Sequence, residues 1–123
     1  VTWHRGVSDE GLRDLYRKAN LLLLPLHEST ANNAVLEAMA CGLPVVTSRT
    51  SGIGDYTTTS ESILCDVGDD VAMADAALRI LANPTLARSM GRCARKLVEL
   101  RFTWDQVAKQ TLQVYQSVDA ACR

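Results

Sequence analysis

The chain has 123 residues, enough for a single domain with a buried core, and 47% of them are hydrophobic. A formal net charge of −1 excludes nonspecific tracking of nucleic-acid phosphates as the main activity, since that requires a surplus of Lys and Arg. No stretch approaches the roughly 18 apolar residues of a membrane helix, and Val1-Thr2-Trp3-His4 does not open a signal peptide.

Residues 1–4 read as a short strand that begins without a leading turn or cap, as in a segment cut from a longer chain. Gly6-Val7-Ser8-Asp9 turns the chain into a helix over residues 10–18. Ser8 or Asp9 is its N-cap, and Leu12, Leu15, Tyr16 and Ala19 form the buried stripe. Residues 21–24 are four leucines ended by Pro25. An apolar run without alternation suits a strand buried on both faces, and proline ends it because it has no amide to donate.

A polar loop, residues 27–30, leads to a helix over residues 31–40, Cys41-Gly42, and a second apolar strand at residues 44–46. Two strands joined through a helix must run parallel. In such sheets the ligand crevice lies outside the carboxyl ends of the strands, which is where residues 27–33 fall. Thr30 is the expected N-cap, and the amides of Ala31, Asn32 and Asn33 form an anion-ready helix end. Glu37 stands four residues beyond Asn33, on the same face and about 6 Å along the axis. A phosphate at the helix end would bring a ribose within its reach. An exposed charge on a solvent face is the plainer account of the same residue.

Residues 47–55 are rich in Gly, Ser and Thr and read as a loop at the next carboxyl end. A polar, Thr-rich stretch follows at 56–61, then a strand at 63–67 and a helix over 71–82 capped by Gly68-Asp69-Asp70. Ala74, Ala77, Leu78 and Leu81 are its expected stripe. Asn83-Pro84 stops this helix. The next, over 85–100, turns Leu86, Met90, Ala94 and Leu97 inward and Arg88, Arg92, Arg95 and Lys96 outward. That basic face suits solvent or an acidic membrane surface. Thr103 caps a last helix whose apolar stripe is Trp104, Val107, Thr111, Val114 and Tyr115, with Trp104 expected in the core. Cys41, Cys65, Cys93 and Cys122 lack C-x-x-C spacing and read as reduced, buried thiols of a cytoplasmic protein, with neither disulfide nor metal site. The fold class is therefore α/β, a partial Rossmann-like open parallel sheet flanked by helices, with a helical carboxyl-terminal segment.

The run Leu36-Glu37-Ala38-Met39-Ala40-Cys41-Gly42-Leu43-Pro44-Val45-Val46 resembles the signature of the nucleotide-sugar-binding domain of group 1 glycosyltransferases, retaining enzymes of GT-B fold. The likeness extends to the opening strand and its Gly6-Val7 turn, to Ser51-Gly52-Ile53-Gly54-Asp55 in place of Gly-Gly-x-x-Glu, and to the closing Phe102-Thr103-Trp104 turn. It covers residues 1 to about 116 and corresponds to the later part of the carboxyl-terminal domain.

The resemblance gives Glu37 the donor ribose, as the second member of an E-x7-E pair. The first member would fall at Ser29. Glu28 is the neighbouring carboxylate and the catalytic candidate. Thr30-Ala31-Asn32-Asn33 replaces the usual Gly-Phe-Gly beside the donor phosphates, in the manner of a subgroup of the family. Gly6 and Val7 become weak base-contact candidates, although a tight turn before a helix accounts for them somewhat better. The donor is a nucleotide-diphosphate sugar, no further cofactor is implied, and the chief partner is a missing amino-terminal acceptor domain. Alone, the chain is expected to transfer no sugar. The alternative is a non-catalytic interaction module derived from such an enzyme.

Overall fold

A computed structural model describes residues 1–121. Its centre is a three-stranded, wholly parallel sheet in the order β1 (Leu22–Leu24), β2 (Val45–Ser48), β3 (Ser62–Cys65). Leu22 lies opposite Val45 and Val45 opposite Ser62, so the register carries the buried Val45-Val46 pair through the middle. Five helices surround it: α1 (Asp9–Lys18), α2 (Asn33–Ala40), α3 (Asp70–Leu81), α4 (Pro84–Arg101) and α5 (Trp104–Ala121).

All four residues of β2 are buried because both faces of the sheet are covered. Val45 points into one core with Val35 and Met39 of α2, Ile53, Tyr56, and Ala94 and Val98 of α4. Its neighbour Val46 points the other way, into a core with Cys65, Met73, Ala76 and Ile80 of α3, and Met90 of α4. α4 therefore contributes to both.

α2 ends in a Schellman turn. Gly42 adopts φ 79, its amide donates to the Met39 carbonyl at 2.9 Å, and the Leu43 amide donates to the Ala38 carbonyl at 3.0 Å. The turn abuts α4 backbone to backbone, since a Cβ on Gly91 would stand 2.1 Å from the Gly42 carbonyl oxygen. Only glycine at position 91 permits that approach.

Several expectations need correction. Residues 1–4 are not a strand: they are exposed and have no strand to pair with, and an unpaired strand has nothing to satisfy its backbone. The stripe of α3 is Met73, Ala76, Ala77 and Ile80, while Ala74, Leu78 and Leu81 face out, with Leu78 63% exposed. Trp104 is 88% exposed, and Val107, Val114 and Tyr115 are exposed with it, because α5 leaves the two cores behind. Asn83-Pro84 does more than stop α3. Asn83 caps α4 through its side chain, and Pro84 occupies the first helical position, where no amide bond is lost. Cys65 is a buried free thiol, but Cys41 is only partly buried and Cys93 is exposed. Cys122 lies outside the described residues.

Candidate functional site

Two loops leave the carboxyl ends of adjacent strands and are stitched together. The Ser29 carbonyl accepts from the Gly52 amide at 3.2 Å and from Thr50 Oγ1 at 3.3 Å. Deeper in, Ser48 Oγ accepts the Leu26 amide at 2.9 Å, and Thr47 Oγ1 donates to the Leu24 carbonyl at 2.7 Å. The buried hydroxyls at the end of β2 thus hold the start of the β1 loop in place.

The amino end of α2 is set by Asn32 and not by Thr30. Asn32 Oδ1 accepts the Val35 amide at 3.4 Å, so the helix begins at Asn33, two residues later than expected, and Thr30 is left exposed in the loop. The Asn32 amide is itself occupied, donating to Tyr56 Oη at 3.0 Å. Of the three amides expected to face an anion, those of Ala31 and Asn33 remain without a protein acceptor among the described residues. Tyr56 is buried, its ring set edge-on to Phe102 with centroids 6.1 Å apart. Burial pushes its pKa up, partly offset by the Asn32 amide.

Glu37 projects from α2 into a cleft of about 400 Å³ between α1 and α2, bordered by Asp9, Leu12, Arg13 and Tyr16. Tyr16 Oη donates to Glu37 Oε2 at 3.3 Å. Burial first, and then the Glu37 charge, raise the Tyr16 pKa, so the phenol keeps its proton. Gly6, at φ 60, makes the turn into α1, and Ser8 caps that helix by accepting the Gly11 amide at 3.3 Å. Val7 lies over Gly11, where an added Cβ would come within 2.7 Å of Val7 Cγ1.

The structure therefore gathers Ala31, Asn32 and Asn33 at one helix end, with Glu37 one turn further along. Glu28 is exposed, with no hydrogen bond or ion pair among the described residues. Arg49 is largely exposed, but its Nη2 donates to the Leu64 carbonyl at 3.0 Å, and its Nε lies 3.4 Å from Asp66 Oδ1. It ties the ends of β2 and β3. Sequence reasoning passed over Tyr56 and took Gly52 only as part of the Ser51-Gly52-Ile53-Gly54-Asp55 likeness, without its closure on Thr30. Their one signal was an aromatic and a glycine inside an otherwise polar loop after a strand. No group of three or more His, Cys, Asp or Glu side chains suited to a metal gathers among the described residues.

A parallel α/β sheet with polar loops and a helix amino end at its carboxyl edge defines the class of open, Rossmann-like nucleotide-binding folds. Within that class, the sequence profile described as "Glycosyl transferases group 1" matches residues 1–83. The chain belongs to the group 1 glycosyltransferase family, and its fold is a GT-B Rossmann-like fragment.

It is 32% identical over 112 residues to the N-acetyl-alpha-D-glucosaminyl L-malate synthase of Bacillus anthracis, covering 90% of this chain and 29% of that one. To the D-inositol 3-phosphate glycosyltransferase of Saccharomonospora viridis it is 32% identical over 123 residues, covering 97% and 28%. Among solved structures, the sucrose-phosphate synthase of Thermosynechococcus elongatus superposes with a TM-score of 0.87 at 34% identity, covering 98% of this chain and 31% of that one. The chain thus spans less than a third of the length of each of these relatives.

Proposed function

We propose that residues 1–123 form one domain, the later part of the carboxyl-terminal, donor-binding domain of a retaining glycosyltransferase. The intact enzyme transfers a sugar from a nucleotide-diphosphate sugar to a glycan, lipid or small-molecule acceptor, and an amino-terminal domain supplies the acceptor site. The observation that carries this reading is the placement of Glu37 one helical turn from a helix end with open amides, in a chain of this family.

In this reading the amides of Ala31 and Asn33 and the helix dipole stabilise the diphosphate as it leaves, with Thr30 alongside. Stabilising charge that develops on the leaving group is the chief catalytic requirement, so the chain needs no Ser or Cys nucleophile and no resident cofactor. Glu37 accepts from the ribose hydroxyls, Gly6 and Val7 border the base, and Glu28 acts near the transferred sugar. The free thiols of Cys41, Cys65 and Cys93 suit a reducing, cytoplasmic setting. No helix among the described residues is long and apolar enough to cross a membrane. The exposed Arg88, Arg92 and Lys96 of α4 would face an acidic membrane surface in any peripheral contact.

One observation favours a second reading, an interaction module without catalysis: among the described residues the apolar stripe of α5 has no covering element, with Trp104 88% and Tyr115 69% exposed. Calorimetry of the purified chain with uridine and guanosine diphosphates separates the two. Donor binding predicts heat that Glu37→Ala weakens at least about tenfold, the loss expected for hydrogen bonds to a charged group. Affinity unchanged by Glu37→Ala would refute the ribose assignment. Labelled sugar transfer by the chain alone would refute the fragment reading.

A further inference from the structure

We propose that Tyr16 is the positioning residue of the ribose subsite, holding the Glu37 carboxylate by one oxygen and leaving the other to accept from the ribose hydroxyls. The proposal rests on the assignment of Glu37 to the ribose and deepens it. Tyr16 reaches across from α1, and its bond to Oε2 is the only hydrogen bond to the Glu37 carboxylate among the described residues. Among the described residues, Oε1 accepts nothing.

An exposed glutamate on a helix otherwise samples several rotamers, and fixing it at the moment of binding would oppose affinity. Tyr16 removes part of that loss in advance. Its side chain turns about only two χ angles and is partly buried between the helices, so it is a stiff anchor for a flexible carboxylate.

The cleft is also lined by Arg13, Arg17 and Arg95, each a rival clamp by charge, but Arg95 is held by Glu99 at 2.8 Å. None of the three makes an ion pair with Glu37 within 4.0 Å, and Arg13 is turned toward Asp14 at 3.9 Å. The difference matters chemically. A guanidinium would occupy both carboxylate oxygens and neutralise them, whereas a phenol donates once and leaves a full negative charge with a vacant acceptor. A ribose diol, which offers two O–H donors, needs that acceptor. Because burial and the Glu37 charge hold the phenol protonated, it stays a donor through neutral and mildly alkaline pH.

The test is calorimetry of the full chain with uridine, guanosine and adenosine diphosphates, followed by the 2′,3′-dideoxy counterpart of whichever binds most tightly. Tyr16→Phe keeps the ring in place and removes only the donor; circular dichroism confirms that it folds. It is expected to weaken the ribonucleotide about three- to tenfold, the range of one hydrogen bond, and to leave the dideoxy compound unchanged. In a Glu37→Ala background, which removes the acceptor, the same substitution should have no effect on either.

Equal weakening of both compounds would make Tyr16 merely structural. An unchanged ribonucleotide affinity in Tyr16→Phe, with Glu37→Ala still damaging, would overturn the positioning role while leaving the ribose assignment intact. Failure of the unsubstituted chain to bind, or to distinguish ribose from dideoxyribose, would overturn both.

Discussion

Gly52→Ala asks whether the loops after β1 and β2 form one rigid unit. A Cβ at this position would lie 1.7 Å from the Thr30 carbonyl oxygen and 2.3 Å from its carbonyl carbon. Both are backbone atoms, so no change of rotamer relieves the clash. Ordinary contact begins at 3.4 Å, and 3.4 − 1.7 leaves roughly 1.7 Å by which the loops must part. That separation breaks the two hydrogen bonds to the Ser29 carbonyl. Overpacking costs about 1–3 kcal/mol and each lost bond about 0.5–1.5 kcal/mol, so the substitution should destabilise the fold by about 2–6 kcal/mol. For a domain of this size each kcal/mol moves Tm by about 3–5 °C, giving a fall of roughly 6–30 °C. Gly54, two residues on, is the control. A Cβ there meets nothing within 4 Å, so Gly54→Ala should stay within about 0.5 kcal/mol of the parent. Thermal and urea unfolding followed by circular dichroism reads both. The argument fails if Gly52→Ala melts with the parent, or if the two substitutions are equally damaging.

Three further outcomes are expected. Asn32→Ala removes the side-chain cap of α2 and should cost about 1 kcal/mol in urea unfolding, whereas Thr30→Ala should cost almost nothing; the reverse order would restore Thr30 as the cap. Trp104→Ser should leave stability within about 0.5 kcal/mol, because the indole is 88% exposed, and a loss of the 3–5 kcal/mol typical of a buried tryptophan would place it in a core after all. Tyr16 and Tyr56 both have pKa values raised above 10.0, mainly by burial. The unfolded chain therefore releases these protons first, so the stability they contribute is whole below that value and is lost as pH rises through the folded pKa. Urea midpoints should fall above pH 10.0, and less steeply in Tyr16→Phe; a flat profile across that range would contradict the burial of both phenols.

Much of the scaffold could be read from residue types whose effects are local. Ser8, Asp69 and Thr103 each cap the helix that follows them, because a short side-chain oxygen within reach of a free amide is a matter of three residues. The unalternating leucines and valines announced parallel strands for the same local reason. The errors fall where a distant partner decides. Met73 and Ile80 face inward on α3 although Leu78 and Leu81 are equally apolar, and the positions of the sheet and α4 together choose between the two phases. The tryptophan of α5 is in solvent because the cores are filled before the chain reaches it. In the site, the Glu37 position was legible from its spacing to the helix end. Its tie to Tyr16, 21 residues away in sequence, and the closure of Gly52 on Thr30 were not, since nothing in a one-dimensional pattern brings those atoms together.

The reach of α4 into both cores has a consequence for how the chain comes apart. Met90 belongs to the α3 side, and Ala94 and Val98 to the α2 side, on one unbroken helix. Neither layer can be released without dislodging the helix that closes the other, so the two faces of the sheet melt as one cooperative unit. Amide exchange in β2, which lies between them, should then follow the global unfolding free energy, while the amides of α5 exchange from a far shallower, local opening.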